Sequence, residues 1–230
     1  MAIDTRTRAI DELLDLTALA TGDEKHDRSS YSTLDALYVL YEHVLRVDPD
    51  NPEWEERDRF LLSKGHGPVA YYAVLARKGF FPAEELRRFM TWEGCLGAHP
   101  DRNQVPGVEV STGSLGHGAA MAIGVAYALR AKGLDEQRVF VLTGDAELNE
   151  GSNWEAILHA GAVGLCNVTL VTIDNRSSSI AMGDIAHKLG AFGWDAITVD
   201  GRDHDQLRHA LSRRCSDAPT AVVAVVEEKQ

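Results

Sequence analysis

Basic residues are in short supply. The 230-residue chain carries 23 lysines and arginines against 35 acids, a formal net charge of −12. That balance argues against broad nucleic-acid binding, which depends on basic patches laid over phosphates. It leaves room for a phosphorylated ligand, because such a site is built locally from amide N–H groups, a metal or a few cations. Cysteine is scarce as well. Cys95, Cys166 and Cys215 are odd in number and widely spaced, which offers neither a disulfide framework nor a metal-type pair and fits a reducing cytoplasm. No apolar run approaches the ~18 residues of a membrane span. The first thirty residues carry acids and lack the apolar segment of a secretory signal. There is no internal repeat and no linker.

What is present suits an ordinary globular domain: 44% apolar and 25% charged residues. Residues 1–20 have helical spacing through Ile10, Leu13, Leu14, Leu16 and Leu19. "YSTLDALYVLYEHVLRV" resumes a helix, with Ser32 or Thr33 as its expected cap. "FLLS" reads as a short strand. "PVAYYAVLARKG" is a helix opened by Pro68 and closed by Gly79, and "PAEELRRFM" is another with proline at its start. "AAMAIGVAYALRAKG" is a helix of small residues. Downstream, "RVFVLT", "NVTLVTID", "WDAITVD" and "TAVVAVVEE" are β-branched apolar runs, read as strands of a mostly parallel sheet. "GSNWEAILHAGAVGL" and "DHDQLRHALSRRCSD" are helices between them. The alternation predicts a doubly wound α/β fold with helices on both faces. Residues 91–118 have no periodicity and are rich in glycine. A loop of that length inside a compact domain points to function.

The stretch "VLTGDAELNEGSNWEA" holds Asp145 just past the carboxyl end of a strand, the edge where open α/β sheets bind ligands. Gly144 permits a tight turn. Asp174 and Asn175, at the end of "NVTLVTID", are expected at the same edge. A carboxylate and an amide oxygen form a hard pair suited to Mg²⁺ or Ca²⁺ when a diphosphate supplies further oxygens. An aspartate at a strand end also serves as a helix cap or turn former, and Glu147 reads as a solvated acid of the first turn.

"GDAELNEG" followed thirty positions after Asp145 by Asn175 resembles the thiamine-diphosphate motif. "DRFLLSKGHGPVAYYAVLARKG", "GAHP", "PGVEVSTGSLGHGAAMAIGVAYAL" and "GDAELNEGSNWEA" stand in the order found in transketolases. The likeness runs over roughly residues 10–225. It implies a thiamine-diphosphate-binding fold, with residues 1–230 as a single diphosphate-binding domain. It implies thiamine diphosphate and Mg²⁺ (Ca²⁺ or Mn²⁺ as substitutes) as cofactors, and two-carbon ketol transfer from a ketose to an aldehyde as the reaction. Only the first domain of the family is matched. The expectation is therefore the amino-terminal subunit of a split enzyme in the cytoplasm, active with a carboxyl-terminal subunit that carries the pyrimidine domain, in an α₂β₂ heterotetramer.

The resemblance also implies roles. Asp145 and Asn175 match metal ligands, and the backbone carbonyl of Ser177 completes the protein's share. Gly144 and Ala146 lie in the diphosphate turn, and Ser114, Leu115 and Gly116 in the loop that approaches cofactor and substrate. His66 in "SKGHG" and His99 in "GAHP" match histidines near the reacting centre. His26 aligns with the family's first histidine, in the altered context "DEKHDRSSYS". Glu150 matches an acid on a path between paired sites, Glu147 is expected to face outward or toward a partner, and His117 replaces a common glutamine. The chain departs from the pattern at Ala146, where the family has glycine, and beyond "TAVVAVVEEKQ", where a substrate-covering loop usually follows. The resemblance implies a sugar or sugar-phosphate substrate, and the departures leave both a pentose-phosphate housekeeping role and a specialised sugar or secondary-metabolite pathway open. Other classes remain: a thiamine-diphosphate carboligase or decarboxylase subunit, and a non-catalytic cofactor-binding subunit.

Overall fold

A computed structural model describes residues 5–22, 25 and 27–228. Helices α1 (Thr5–Leu19) and α2 (Asp27–Val39) precede strand β1 (Arg59–Leu62). Helices α3 (Val69–Lys78) and α4 (Gly118–Ala131) lead to β2 (Val139–Gly144). Then α5 (Gly151–Ala162), β3 (Val168–Asp174), α6 (Ile185–Ala191), β4 (Asp195–Asp200), α7 (His204–Ser212) and β5 (Thr220–Val225) alternate to the end. The five strands form one wholly parallel sheet in the order β1-β2-β3-β5-β4.

The layering follows from connection handedness. The steps β1→β2, β2→β3 and β3→β4 advance in one direction across the sheet, and β4→β5 reverses. Right-handed crossovers then put α4, α5 and α6 on one face and α7 on the other. Burial agrees. Ala122, Ala126, Ile157, Ala160 and Leu189 share an apolar cluster with Val141 and Leu170. Leu207 and Leu211 join Leu37, Leu40, Tyr72 and Leu75 against Phe140 and Val171. With both faces covered, β2 is buried at every position, which is why its sequence is continuously apolar.

Three local expectations need revision. Helix α2 starts at Asp27, so Ser32 and Thr33 are inside it and not caps; their hydroxyls donate to carbonyls of the preceding turn, Ser29 O at 2.8 Å and Ser30 O at 2.9 Å. The segment after Pro82 is a 3₁₀ turn, Ala83–Arg88, with only Leu86 buried, too little apolar surface to hold a longer helix. The third revision is α6, seven residues that periodicity did not reveal. Asp184 caps it, accepting from His187 N at 2.9 Å. Gly79 does close α3, in the left-handed conformation (φ 97°). No helix among the described residues is long and apolar enough to cross a membrane.

Asp58 fastens the amino ends of β1 and β2. Its carboxylate accepts from Arg46 N and Arg138 N, both at 2.9 Å, and from the Arg46 guanidinium at 3.2 Å. The side chain is buried, so its loss would leave buried donors unpaired. Asp58→Ala is expected to lower the free energy of unfolding by about 2–4 kcal/mol, measured by urea titration.

Candidate active site

Four loops meet at the carboxyl edge of the sheet: residues 63–67 after β1, 113–117 before α4, 145–150 after β2 and 175–184 after β3. The β2–β3 register sets the centre. Gly144 pairs with Ile173, and Asp145 N donates to Ile173 O at 2.9 Å, so Asp145 lies one step beyond the strand beside Asp174. Asp145 is 1% exposed and Asn175 4%. Asp145 Oδ1 accepts from Ser177 Oγ at 2.6 Å, and Oδ2 from Ser178 N at 3.0 Å. Asn149 Nδ2 donates to Ser178 Oγ at 3.0 Å, a second tie between the same two loops. Arg176, between Asn175 and Ser177, has a positive φ of 53°, unusual for a side chain of that size. Such strain concentrates at functional turns.

Asn175 Oδ1 is buried and has no hydrogen-bond partner among the described residues. Buried polar atoms are otherwise nearly always paired, so an orphan calls for an explanation. Asp145 also lines a cleft of about 340 Å³ with Asp174, Arg176, Ser178 and Met182. A buried carboxylate and a spare amide oxygen fit a hard cation whose remaining ligands come from a ligand's oxygens. Ser177 differs from expectation in one respect: its hydroxyl is engaged with Asp145.

Glu147 is not the solvated acid expected. It is 2% exposed, inside a 3₁₀ turn Ala146–Asn149. Its Oε1 accepts from Ser63 Oγ and from Gly116 N (3.1 Å), and its Oε2 from Gly144 N (3.4 Å). Burial pushes its carboxyl above the usual glutamate range, while those hydrogen bonds and the nearby Lys64 charge pull the other way. Ser63 Oγ accepts in turn from Gly118 N at 3.1 Å, the first residue of α4. A Cβ on Gly118 would collide with Ser63. At Gly116 the φ is +82°, and a Cβ would come within 2.6 Å of Ser152 Oγ and 2.7 Å of Glu150 Cβ. Glycine is required there twice over, by backbone conformation and by space.

The other candidate residues are placed as follows. Ala146 is not among the residues of positive φ, so the methyl that replaces a hydrogen costs no backbone strain. Glu150 is exposed at the start of α5, with its Cβ toward Gly116. Ser114 is exposed and Leu115 half-buried; the Leu115 side chain packs toward Gly65 in the loop that carries His66. His66 and His117 are exposed. His99, also exposed, lines a separate depression with Met90, Cys95, Leu96 and Gln104, and its ring lies against Gly113. The structure therefore gathers Gly144, Asp145, Ala146, Asn175, Ser177 and Gly116 at one edge. It connects His66 and His99 to that edge through neighbouring glycines. His26 lies outside the described residues. Sequence reasoning passed over Ser63 and Lys64 and misread Glu147 as solvated. Lys64 is buried, donating to Ser29 O at 2.7 Å and to Ser32 Oγ at 3.0 Å. Their signal in the sequence was adjacency alone: Ser63 and Lys64 precede "GHG", and Glu147 follows "GDA".

A parallel sheet with a carboxylate and a spare amide oxygen at its carboxyl edge, faced by a glycine-rich loop, has the chemistry to hold a hard cation together with a ligand's oxygens. The model of the transketolase thiamine diphosphate binding domain matches residues 4–226, and the chain belongs to that family. It is 48% identical over 217 residues to a Rhodococcoides fascians protein named "Ferredoxin fas2", covering 94% of this chain and 71% of that one. It is 35% identical over 207 residues to the 6-deoxy-6-sulfo-D-fructose transketolase subunit SqwG of Clostridium sp. (strain MSTE9), covering 86% of this chain and 75% of that one. A solved transketolase from Leishmania mexicana superimposes with a TM-score of 0.75 at 28% identity, over 90% of this chain and 37% of that longer one. The three cysteines, all free, fall short of the four thiolates of a ferredoxin-type cluster.

The orphaned amide oxygen gives a test that separates stability from binding. Asn175→Ala is expected to leave the unfolding free energy within about 1 kcal/mol of wild type, because Oδ1 has no internal bond to lose. It is expected to abolish most of the thermal stabilisation conferred by thiamine diphosphate with Mg²⁺. Paired melting curves with and without both ligands measure this.

Proposed function

We propose that this chain is the diphosphate-binding, amino-terminal subunit of a two-chain transketolase-like enzyme. The enzyme transfers a two-carbon ketol unit from a ketose donor, a sugar or sugar phosphate, to an aldehyde. The observation that carries this reading is the buried Asp145 beside the unpartnered Oδ1 of Asn175, in a member of this family. Similarity to SqwG, itself named a transketolase subunit, supports the division between two chains. Residues 1–230 act as one diphosphate-binding domain. The partner is a carboxyl-terminal, transketolase-like chain with the pyrimidine domain, assembled as an α₂β₂ heterotetramer in the cytoplasm.

Asp145, the Asn175 amide oxygen and the Ser177 carbonyl would hold Mg²⁺, an all-oxygen set suited to a hard cation. Gly144 and Ala146 in the turn after β2, Ser114, Leu115 and Gly116 in the facing loop, and His66 would line the cofactor. When bound, thiamine diphosphate supplies the electron sink for C–C bond cleavage and formation. The chain's own work is then placement and proton handling. The hydrogen bonds Asp145 now makes to Ser177 and Ser178 fix its carboxylate at the strand end. His66 and His99, both exposed, would be the side chains that exchange protons with substrate hydroxyls. His26 is the third such candidate. Glu150, exposed at the start of α5, would lie on the partner side of the site in this reading.

Coexpression with the partner chain and assay over a panel of ketose donors and aldehyde acceptors tests the proposal. Asp145→Ala is expected to reduce thiamine-diphosphate-dependent turnover to background, more than ~10³-fold. Near-normal turnover in that variant would overturn the metal assignment. The isolated chain is expected to show no turnover, and activity without the partner would refute the two-chain reading.

A further inference from the structure

One buried carboxylate at this edge has no part in the scheme above. Glu147 contacts three segments, two of them from distant parts of the chain. Ser63 is 84 positions away and Gly116 is 31 positions away; Gly144 lies at the end of β2. Each donor belongs to a backbone segment facing the cradle. Gly116 and Gly144 offer main-chain N–H groups, and Ser63 relays the contact to Gly118 N at the start of α4. The 113–118 segment has no helix or strand of its own before Gly118, and Gly113 and Gly116 both have positive φ, at 140° and 82°. Such a segment has many accessible conformations and must be held by its contacts. Ser152 Oγ also donates to Gly116 O at 2.7 Å. Glu147 is itself held firmly, since Asn153 Nδ2 donates to its carbonyl at 2.7 Å.

We propose that Glu147 is a positioning residue for thiamine diphosphate, locking the 113–118 loop, the β1 end and the β2 end into the cofactor-ready geometry before the cofactor arrives. The inference rests on the reading of this edge as a thiamine diphosphate site. The carboxylate is out of reach of bulk water and its partners are internal, so it acts through the loop and not on the reacting atoms. Ordering the cradle in advance removes that cost from binding, and the expected signature is therefore in cofactor affinity more than in the chemical step. Glutamine is the discriminating replacement. It keeps the volume and one acceptor oxygen for Ser63 and Gly116, but turns an amide N–H₂ toward the Gly144 N–H, donor against donor.

The experiment uses the chain coexpressed with its partner. Thiamine diphosphate is titrated at saturating Mg²⁺, kcat is read at saturating cofactor, and backbone amide exchange is followed by mass spectrometry without cofactor. For Glu147→Gln, the apparent Kd is expected to rise about tenfold or more, the effect of losing a hydrogen bond to a charged acceptor. The fall in kcat is expected to stay under about threefold, and exchange is expected to quicken in residues 113–118 while β2 and β3 keep wild-type protection. An unchanged Kd would overturn the inference. So would acceleration spread evenly over the sheet, which would make Glu147 a support of the fold alone. If the glutamine variant does not assemble, Ser63→Ala decides: it removes the relay to Gly118 and should show the same pattern at about threefold in Kd, and wild-type values for both Kd and loop exchange would overturn the proposal. Failure of the wild-type complex to bind thiamine diphosphate would remove the cofactor reading and this inference together. Normal wild-type binding with an indistinguishable Glu147→Gln variant removes the inference alone.

Discussion

A carboxylate taken out of water must be compensated, and the carboxyl edge of this sheet is arranged around one that is. Glu147 loses its hydration and recovers hydrogen bonds from Ser63, Gly116 and Gly144. That requirement propagates outward. Ser63 must sit close enough to reach Glu147, which leaves no room for a Cβ at Gly118. Gly116 must turn its N–H inward, which demands a positive φ and close approach to Ser152 and Glu150. The loops after β1 and β2 and the loop before α4 thus have one shared anchor.

Two residues away, Asp145 has a different environment and a different use. The 3₁₀ turn after β2 separates the two side chains, so one carboxylate is directed among loops 63–67 and 113–118 and the other toward loop 175–184. Glu147 is satisfied by protein donors. Asp145 is buried as deeply, but it opens on a cleft and stands beside an amide oxygen with no partner. Both Asp145 oxygens also accept protein hydrogen bonds, so the unmet acceptor at this edge is Asn175 Oδ1. Two acids of one short motif thus differ in surroundings: Glu147 is enclosed by loops 63–67 and 113–118, and Asp145 faces the cleft beside loop 175–184.

Much of the architecture was readable beforehand because fully covered parallel strands leave little choice of residue. β2, β3 and β5 are apolar runs rich in β-branched residues, and Pro68 and Gly79 mark both ends of α3. The elements that escaped or changed type are short ones. Helix α6 buries only Ile185 and Leu189, and the turn at 83–88 only Leu86, too few positions for a period to show. The Asp184 cap with Ile185 and Leu189 four apart was the signal available for α6. Ser32 and Thr33 misled because a hydroxyl that caps one helix bonds back within another.

For the site, sequence alone determined the family, the sheet, and the position of Asp145 and Asn175 at a strand edge, since register along parallel strands follows from alternating strand and helix. It also raised the question of Ala146 without answering it. The answer needed the backbone angle at that residue, which is ordinary. Glu147 shows the limit most clearly. Read locally, an acid in a first turn is solvated. Its burial is produced by Ser63 and Gly116, 84 and 31 positions away, and no local pattern encodes such contacts. Which acid is enclosed by protein donors and which opens on a cleft was therefore decided only when the loops met, because desolvation depends on everything packed around a group and not on its neighbours in the chain.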